Sequence, residues 1–193
     1  MSASGFHSEP DLKLDRPEQM HRTTINAPGM HHLWTEKKDF SAEVFVRKTP
    51  SSLIMKCVVT DDIHHQPYKA ASVWRADNPQ MLLLFPGSKN TWELGFTCLK
   101  DDQSEVFFRS KGKQNTPVDL IRLKTKRDEN KKQTIYEAKL PWKAFGLEKT
   151  PSFMKFNLLF NENDGSVRKL QALTSGSGQN VKDPAKFYIL NLK

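Results

Sequence analysis

Apolar and polar residues alternate in short segments along most of this chain, which is the pattern of half-buried β-strands. The segment Leu53–Thr60 is typical, since its alternate residues Leu53, Met55, Cys57 and Val59 are all apolar. Successive side chains of a strand point to opposite faces, so these four residues share one face. The segment Gln80–Phe85 is apolar at nearly every position and predicts a strand that is covered on both faces.

Ten segments carry a strand pattern, and no long amphipathic helix interrupts them: Ser41–Lys48, Leu53–Thr60, Gln80–Phe85, Thr91–Leu99, Glu105–Arg109, Val118–Lys124, Gln133–Leu140, Phe153–Phe160, Val167–Leu173 and Phe187–Leu192. A single helical turn is predicted near residues 141–146, where Pro141 can begin the turn and Gly146 can cap it. We therefore predict an all-β fold, an antiparallel and jelly-roll-like β-sandwich of about ten short strands.

The first 32 residues are polar and contain Pro10, Pro17 and Pro28, which disfavour a helix. We predict that residues 1–32 form an N-terminal arm or leader that packs as an edge segment. Residues 33–193 then form the sandwich, and the length of the chain suits one such domain. The N-terminal sequence has no apolar segment of signal-peptide length and resembles a leader joined to a domain of a longer protein.

Basic residues outnumber acidic ones, with 30 Lys and Arg against 22 Asp and Glu and a net charge of +8. This excess favours an anionic partner such as an acidic polysaccharide. The densest basic run, Lys124–Lys132, also holds Asp128 and Glu129 and is interpreted as a solvated hairpin tip. No run of about 18 apolar residues predicts a membrane span, and aromatic and basic residues do not interleave as in a nucleic-acid-binding face.

The segment Thr60–Gln80 is a polar loop between two apolar strands, a position where binding groups are often carried. Asp61, Asp62 and Asp77 offer hard oxygen ligands for calcium, although aspartates also cap turns at strand ends. Neighbouring residues of an extended chain point to opposite sides, so His64 and His65 do not easily chelate one zinc ion. We expect both histidines to form hydrogen bonds near a ligand instead.

Trp74 stands in this loop between polar residues, which favours an exposed ring that stacks on the C–H face of a sugar. A core tryptophan at the end of the sandwich is the alternative. Trp92 begins a strand and is a core or rim residue; if exposed, it supplies a second stacking surface. Hydrogen bonds to the sugar are expected from three further residues, Arg75, Gln80 and Glu93.

Common catalytic motifs are absent from the sequence, including the nucleophile elbow, the zinc-protease helix, the phosphate loop and the dinucleotide fingerprint. Glu93 and Glu137 lie on predicted strands and are interpreted as surface carboxylates that face lysines, not as a glycosidase pair. We therefore predict a binding domain and not an enzyme. Cys57 and Cys98 also fall in predicted strands, where a buried thiol pair and a single disulfide both fit.

Seven phrases recur in a characteristic order over residues 34–193: Trp34 with Asp39–Ala42, Val59–Asp62, Val73–Asp77, Trp92–Phe96, Tyr136–Trp142, Phe156–Gly165 and Asp183–Phe187. This series resembles the family 9 carbohydrate-binding modules. The resemblance implies a non-catalytic sandwich that belongs to a larger, secreted, polysaccharide-degrading protein. It also implies calcium, a polysaccharide partner and no organic cofactor.

The resemblance further implies that the end of a sugar chain lies between two tryptophans. The first of them matches Trp74, while the second matches Val181 in this chain. Gln80 stands where a polar residue contacts sugar hydroxyls, and an arginine of the following strand has its nearest equivalent around Gly95. The missing second tryptophan keeps another hypothesis open, a structural or interaction domain without a sugar ligand. A haem-carrying sandwich, with Met81 or His64 as axial ligand, is a third.

Overall fold

A computed structural model describes residues 6–16, 19–22, 34–110, 118–165, 170–174 and 182–192. In these ranges the chain forms twelve strands: β1 (Leu12–Leu14), β2 (Met20–Arg22), β3 (Phe40–Lys48), β4 (Ser52–Asp61), β5 (Asn78–Leu84), β6 (Trp92–Cys98), β7 (Ser104–Ser110), β8 (Arg122–Asp128), β9 (Gln133–Pro141), β10 (Phe153–Glu162), β11 (Leu170–Leu173) and β12 (Tyr188–Asn191). Short 3-10 helices span Ala70–Arg75, Lys100–Asp102, Val118–Leu120, Trp142–Phe145 and Pro184–Lys186. No helix of the described chain is long and apolar enough to cross a bilayer.

The strands form two antiparallel sheets. The five-stranded sheet has the order β1-β3-β4-β9-β8, and the seven-stranded sheet has the order β2-β11-β10-β5-β6-β7 with β12 also paired to β10. Strand β10 is long enough to hold two partners along one edge, β12 at Phe153–Phe156 and β11 at Leu159–Glu162. The other edge of β10 pairs with β5.

The core lies between the two sheets and follows from the period-2 pattern of the sequence. On β4, Leu53, Met55 and Cys57 are buried and lie opposite Leu140, Ala138 and Tyr136 of β9. The seven-stranded sheet contributes Met81 and Leu83 of β5 to the same cluster. Leu82 points the other way and packs with Leu159, Leu173 and Phe187, so β5 is covered on both faces as predicted.

The predicted all-β sandwich is confirmed, and its main deviations lie in short elements. Residues 118–120 form a 3-10 helix and β8 begins only at Arg122, so the strand predicted at Val118–Lys124 was placed too early. Strands β1 and β2 were not predicted, because three residues hold too few alternations to show a period. The turn at Trp142–Phe145 is confirmed, with Gly146 at φ 72°, but it is one of several 3-10 helices.

The described part of the N-terminal segment contributes an edge strand to each sheet, β1 to the five-stranded sheet and β2 to the seven-stranded sheet. Strand β1 pairs with β3 at its edge, and Leu14 is buried in the main core. Phe6 lies against Phe45 with 6.1 Å between ring centroids. The boundary between residues 32 and 33 stays a prediction. Both cysteines are buried free thiols, which settles the choice left open by the sequence.

Candidate functional site

The loop between β4 and β5, residues 62–77, is braced by internal hydrogen bonds. The carboxylate of Asp77 accepts hydrogen bonds from the backbone N–H groups of His65 and Asn163, the latter at 2.6 Å. The side-chain amide of Gln66 donates to the carbonyl oxygens of Val73 and Asp77, at 3.1 and 2.8 Å. These bonds tie both ends of the loop to each other and to the end of β10, so the loop is held in one shape.

The 3-10 helix Ala70–Arg75 lies on the outer face of the seven-stranded sheet. Its Val73 is buried and approaches Gly95 of β6 so closely that a Cβ added at Gly95 would lie 3.3 Å from the Val73 Cγ2 atom. Trp74 follows and is half-buried. The guanidinium carbon of Arg75 lies 5.6 Å from the Trp74 ring centroid and 6.0 Å from that of Tyr68. Trp74, Arg75 and Tyr68 thus form one aromatic and cationic surface, the Trp74 surface.

Two other expected sugar contacts lie on the same side of this sheet. Gln80 is paired with Gly95 and is buried, so it lies beneath the helix that carries Trp74. Glu93 is half-buried and accepts hydrogen bonds from the Lys182 ammonium at 2.8 and 3.0 Å. Both carboxylate oxygens of Glu93 are therefore engaged by a cation.

Trp92 points to the opposite, inner face and is a core residue. Trp92 is only 7% exposed. Its ring centroid lies 5.5 Å from that of Phe108 and 5.4 Å from that of Phe145. Adjacent residues of a strand face opposite sides, which separates Trp92 from Glu93. A second stacking surface at Trp92 is thereby excluded. Val181, the other position of interest, lies outside the described residues.

His64 and His65 belong to the 62–77 loop and lie beside the turn at residues 98–102. His64 Nε2 lies 2.9 Å from the Cys98 carbonyl oxygen, and burial lowers the pKa of its imidazole. His64 and His65 border a cavity of about 400 Å³ that is also lined by residues 98–102 and Arg127. The described lining of this cavity does not include Trp74. The structure therefore places the histidines in the loop that carries Trp74 but at a separate cavity, not within the Trp74 surface.

Four acidic side chains, of which Asp164 alone is not buried, gather where β4 ends and β5 begins. The side-chain oxygens of Asp61, Glu162 and Asp164 lie within 4.8 Å of one another, and Asp61 also lies within that distance of the ligand atoms of Asp77 and His64. We call Asp61, Asp77, Glu162 and Asp164 the acidic cluster. Asp62, the third aspartate expected as a ligand, is exposed and does not belong to the acidic cluster.

Burial makes negative charge costly in the acidic cluster. It raises the pKa of Asp61 to about 7, and burial followed by the charge of Asp61 raises the pKa of Asp77 well above its usual range. The Arg127 guanidinium donates to the Asp61 carbonyl oxygen at 2.9 Å and offsets part of this cost. A set of carboxylate oxygens at short mutual distance matches the ligands that calcium prefers, so these residues fit a calcium ion.

Glu162 and Asp164 were not identified from the sequence. Glu162 ends β10 and Asp164 follows it, and Asn161 of β10 is paired with Asn78 at the start of β5. This pairing brings the end of β10 to the loop that carries Asp77. The available signal was the run Asn161–Asp164, in which two acids directly follow a strand.

This chain resembles known proteins in structure but matches none of them in sequence. No family model matches the sequence, and no curated protein sequence matches it. A family 9 carbohydrate-binding module from Caldicellulosiruptor kristjanssonii, solved with cellotriose, superposes with a TM-score of 0.60 at 15% identity over 91% of this chain and 81% of that chain. This chain has the family 9 fold.

Two further structures superpose on this chain over most of its length. A family 9 module from the same organism, solved with glucose, gives a TM-score of 0.62 at 14% identity and covers 89% of this chain and 94% of the other. A protein from Bacteroides uniformis gives a TM-score of 0.59 at 11% identity over 89% and 85% of the two chains. The family 9 fold thus spans nearly the whole molecule.

Proposed function

We propose that this protein is a non-catalytic carbohydrate-binding module that holds a sugar against Trp74. The observation that carries the proposal is the Trp74 surface, a half-buried indole beside an exposed guanidinium on a braced loop of a family 9 fold. The two Caldicellulosiruptor modules with this fold were solved with cellotriose and glucose, which supports a saccharide as the ligand class.

The chemistry of the Trp74 surface suits a pyranose. An indole ring offers a flat apolar face to sugar C–H groups, and the planar guanidinium of Arg75 offers several N–H donors to hydroxyl oxygens. The loop is already fixed by Asp77 and Gln66, so binding orders few additional groups. In this arrangement Gln80 supports the surface from below, and Glu93 lies at its margin with Lys182.

We also propose that the acidic cluster holds calcium with an architectural role. Bound calcium would neutralise the carboxylates of Asp61, Asp77, Glu162 and Asp164 and remove the cost of their burial. Asp77 already receives the N–H groups of His65 and Asn163. An ion held there would therefore strengthen the link between the 62–77 loop and the end of β10.

The biological setting that fits this function is a secreted, polysaccharide-processing protein in which the module keeps an enzyme close to its substrate. The positive net charge makes an acidic polysaccharide a fitting partner. In this proposal catalysis belongs to another domain, and the module supplies attachment.

The test is a binding screen by affinity gel electrophoresis and calorimetry against cello-oligosaccharides, a polyuronate and a sulfated polymer. We expect Trp74→Ala to lose at least tenfold in affinity for the cello-oligosaccharide that binds wild type. Tyr188→Ala removes an exposed ring from β12 and serves as the control, since Tyr188 pairs beside the opposite end of β10. Equal affinity in wild type and Trp74→Ala would contradict the assignment of the site.

The second candidate is an interaction domain without a sugar ligand. Its supporting observation is Val181, which stands where the family resemblance places a second tryptophan. This hypothesis requires that no saccharide of the screen binds wild type, whatever the calcium concentration. Binding of any one saccharide that depends on Trp74 decides against it.

A further inference from the structure

A second concave region lies at the opposite end of the five-stranded sheet from the 62–77 loop. Strand β4 begins there at Ser52, and β9 ends there at Pro141. The 3-10 helix at Trp142–Phe145 and the following residues enclose a cleft of about 680 Å³. This volume lies within the range of roughly 300–1,000 Å³ that is usual for small-molecule sites. We call this region the basic cleft.

Most of the charged residues in the described lining of the basic cleft are cationic. It includes Arg122, Lys139 and Lys143, with Glu148 as its one acidic residue. Arg122 of β8 and Lys139 of β9 lie directly opposite each other in the sheet, an arrangement that costs stability when no anion lies between the like charges. Among the described residues, no carboxylate oxygen lies within 4.0 Å of these three cations.

A buried hydroxyl group also lines the basic cleft. Ser52 is only 1% exposed, and its Oγ atom has no hydrogen-bond partner within the described part of the chain. A buried polar group without a partner is unusual and costs free energy. The cleft thus presents both unneutralised cations and an unused hydroxyl group, which together are the groups that bind an oxyanion.

The positive charge continues from the cleft over the outer face of the five-stranded sheet. Glu137 lies between Lys56 and Lys124 in the next row, and Lys126 lies beside Ile135 in the row after that. Basic residues at outward positions of this sheet outnumber the acidic Glu43, Asp128 and Glu137; they are Lys13, Arg47, Lys56, Arg122, Lys124, Lys126 and Lys139. A polymer that leaves the cleft along β8 and β9 would therefore meet further cations.

We propose that the basic cleft is a second glycan site that takes an acidic sugar residue, through its carboxylate or sulfate group, from a polyanionic polysaccharide. Arg122, Lys139 and Lys143 would pair with the acidic group, and the Ser52 hydroxyl would donate to one of its oxygens. The choice of a glycan rests on the proposed function. The site itself is independent of Trp74, because the two lie at opposite ends of β4.

The lining of the cleft favours a sugar over single-stranded nucleic acid. Its non-aromatic apolar part consists of Pro50, Leu120, Pro141 and Leu147, which can contact the C–H groups of a pyranose. Trp142 is the one aromatic residue of the described lining, and it is buried with its indole N–H donating to the Thr49 carbonyl oxygen. No ring of that lining is thus available for the base stacking on which single-strand binding depends.

The test uses the full chain with oligogalacturonate and cellotriose as separate probes in calorimetry. We expect Lys139→Glu to lose at least tenfold in affinity for oligogalacturonate while cellotriose affinity stays within twofold. Lys186→Glu makes the same change in net charge at an exposed position in the 3-10 helix Pro184–Lys186, which precedes β12 of the other sheet, and should retain most of the oligogalacturonate affinity. Because Lys139→Glu places opposite charges at the Arg122 pair, its melting temperature should not fall, which separates lost binding from lost folding.

Trp74→Ala makes the two proposals distinguishable. It should lose cellotriose and keep oligogalacturonate, so a failure of the Trp74 site leaves the basic cleft testable. Equal losses of oligogalacturonate in Lys139→Glu and Lys186→Glu would overturn the cleft as a site and leave only net charge. Loss in Trp74→Ala alone would move the acidic sugar to the other site. An oligothymidylate that binds as tightly, with the same dependence on Lys139, would overturn the assignment to a glycan.

Discussion

Arg75 joins the two aromatic rings of the Trp74 surface, since its guanidinium lies over both Trp74 and Tyr68. We expect Arg75→Ala to weaken saccharide binding several-fold, while the free energy of unfolding changes by less than about 1 kcal/mol because the side chain is exposed. Arg75→Lys keeps the charge and loses the planar fork, so an intermediate affinity is expected. Calorimetry and urea unfolding measure both effects, and unchanged affinity in Arg75→Ala would remove this residue from the site.

Asp61 should make stability depend on pH when calcium is removed. Burial raises the pKa of Asp61 from 3.8 to about 7, so the folded state holds its proton more tightly than the unfolded state. The resulting stabilisation is complete below pH 3.8 and is lost as the pH rises through 7. In chelator, we therefore expect the free energy of unfolding to fall between pH 5 and pH 8 more steeply in wild type than in Asp61→Asn.

Calcium should reverse that loss at the higher pH. Asp61 loses its proton as the pH rises above about 7, and a bound cation offsets the repulsion between its carboxylate and its acidic neighbours. Added calcium is expected to raise the urea midpoint of wild type at pH 8 and to raise that of Asp61→Asn less. Magnesium at the same concentration provides the control for ionic strength. A midpoint that ignores calcium in wild type would contradict the proposed ion site.

Some residues of the candidate sites could be predicted from the sequence and others could not. Asp61 and Asp77 were identified because both stand in a polar loop beside a strand. Glu162 and Asp164 were not, because they reach the cluster only through the pairing of β10 with β5, which joins distant parts of the chain. The orientation of Trp92 was left open, since the first residue of a strand can face either way until its partners are known.

At the scale of elements, the contact between the 3-10 helix Ala70–Arg75 and β6 determines where Trp74 lies. A methyl group at Gly95 would approach the Val73 Cγ2 and Asn78 Nδ2 atoms to 3.3 Å each. We expect Gly95→Ala to cost about 1–3 kcal/mol in urea unfolding and to weaken saccharide binding, because the displaced Val73 precedes Trp74.

The matched control for this contact is the double variant Gly95→Ala with Val73→Ala. The smaller side chain at position 73 makes room for the added methyl group. The two substitutions should therefore cost less together than the sum of their separate effects. Strict additivity would show that the helix does not rest on Gly95.

The long elements were predictable and the short ones were not. Strands β4 and β9 span ten and nine residues with a strict alternation of buried positions, so their period is visible in the sequence. Val118–Leu120 has an apolar residue at either end, yet it forms a 3-10 helix. Three residues give the same apolar spacing in either element, and only the surrounding packing decides between them.

At the scale of the whole molecule, the net charge of +8 is unevenly placed. Cations collect on the outer face of the five-stranded sheet, while the Trp74 surface lies on the other sheet. Oligogalacturonate affinity should therefore fall at least tenfold between 0.1 and 1 M sodium chloride, over which the screening length shrinks from about 10 to about 3 Å. Cellotriose is uncharged and should bind equally at both concentrations. Titrations at three salt concentrations would detect the difference.

The fold class was accessible from the sequence because it depends on alternation and turn spacing summed over many segments. The family 9 resemblance rested on the order of seven short phrases, and the same fold is found by superposition at 15% identity or less. The basic cleft was not anticipated. Its cations come from β8, β9 and the turn that follows β9, and the pairing of β8 with β9 brings Arg122 beside Lys139.

The length of strand β4 bears on the avidity of the module for a polymer. Its ten residues span about 30 Å at roughly 3.3 Å per residue, with the loop that carries the proposed Trp74 site leaving one end and the basic cleft lying at the other. A rigid domain with two such sites is bivalent. Once one site holds a polymer, the other meets nearby polymer at a raised effective concentration, so attachment to a gel or cell wall would far exceed attachment to a soluble oligomer. Neighbouring chains of a matrix could thus be joined by a single copy of the module.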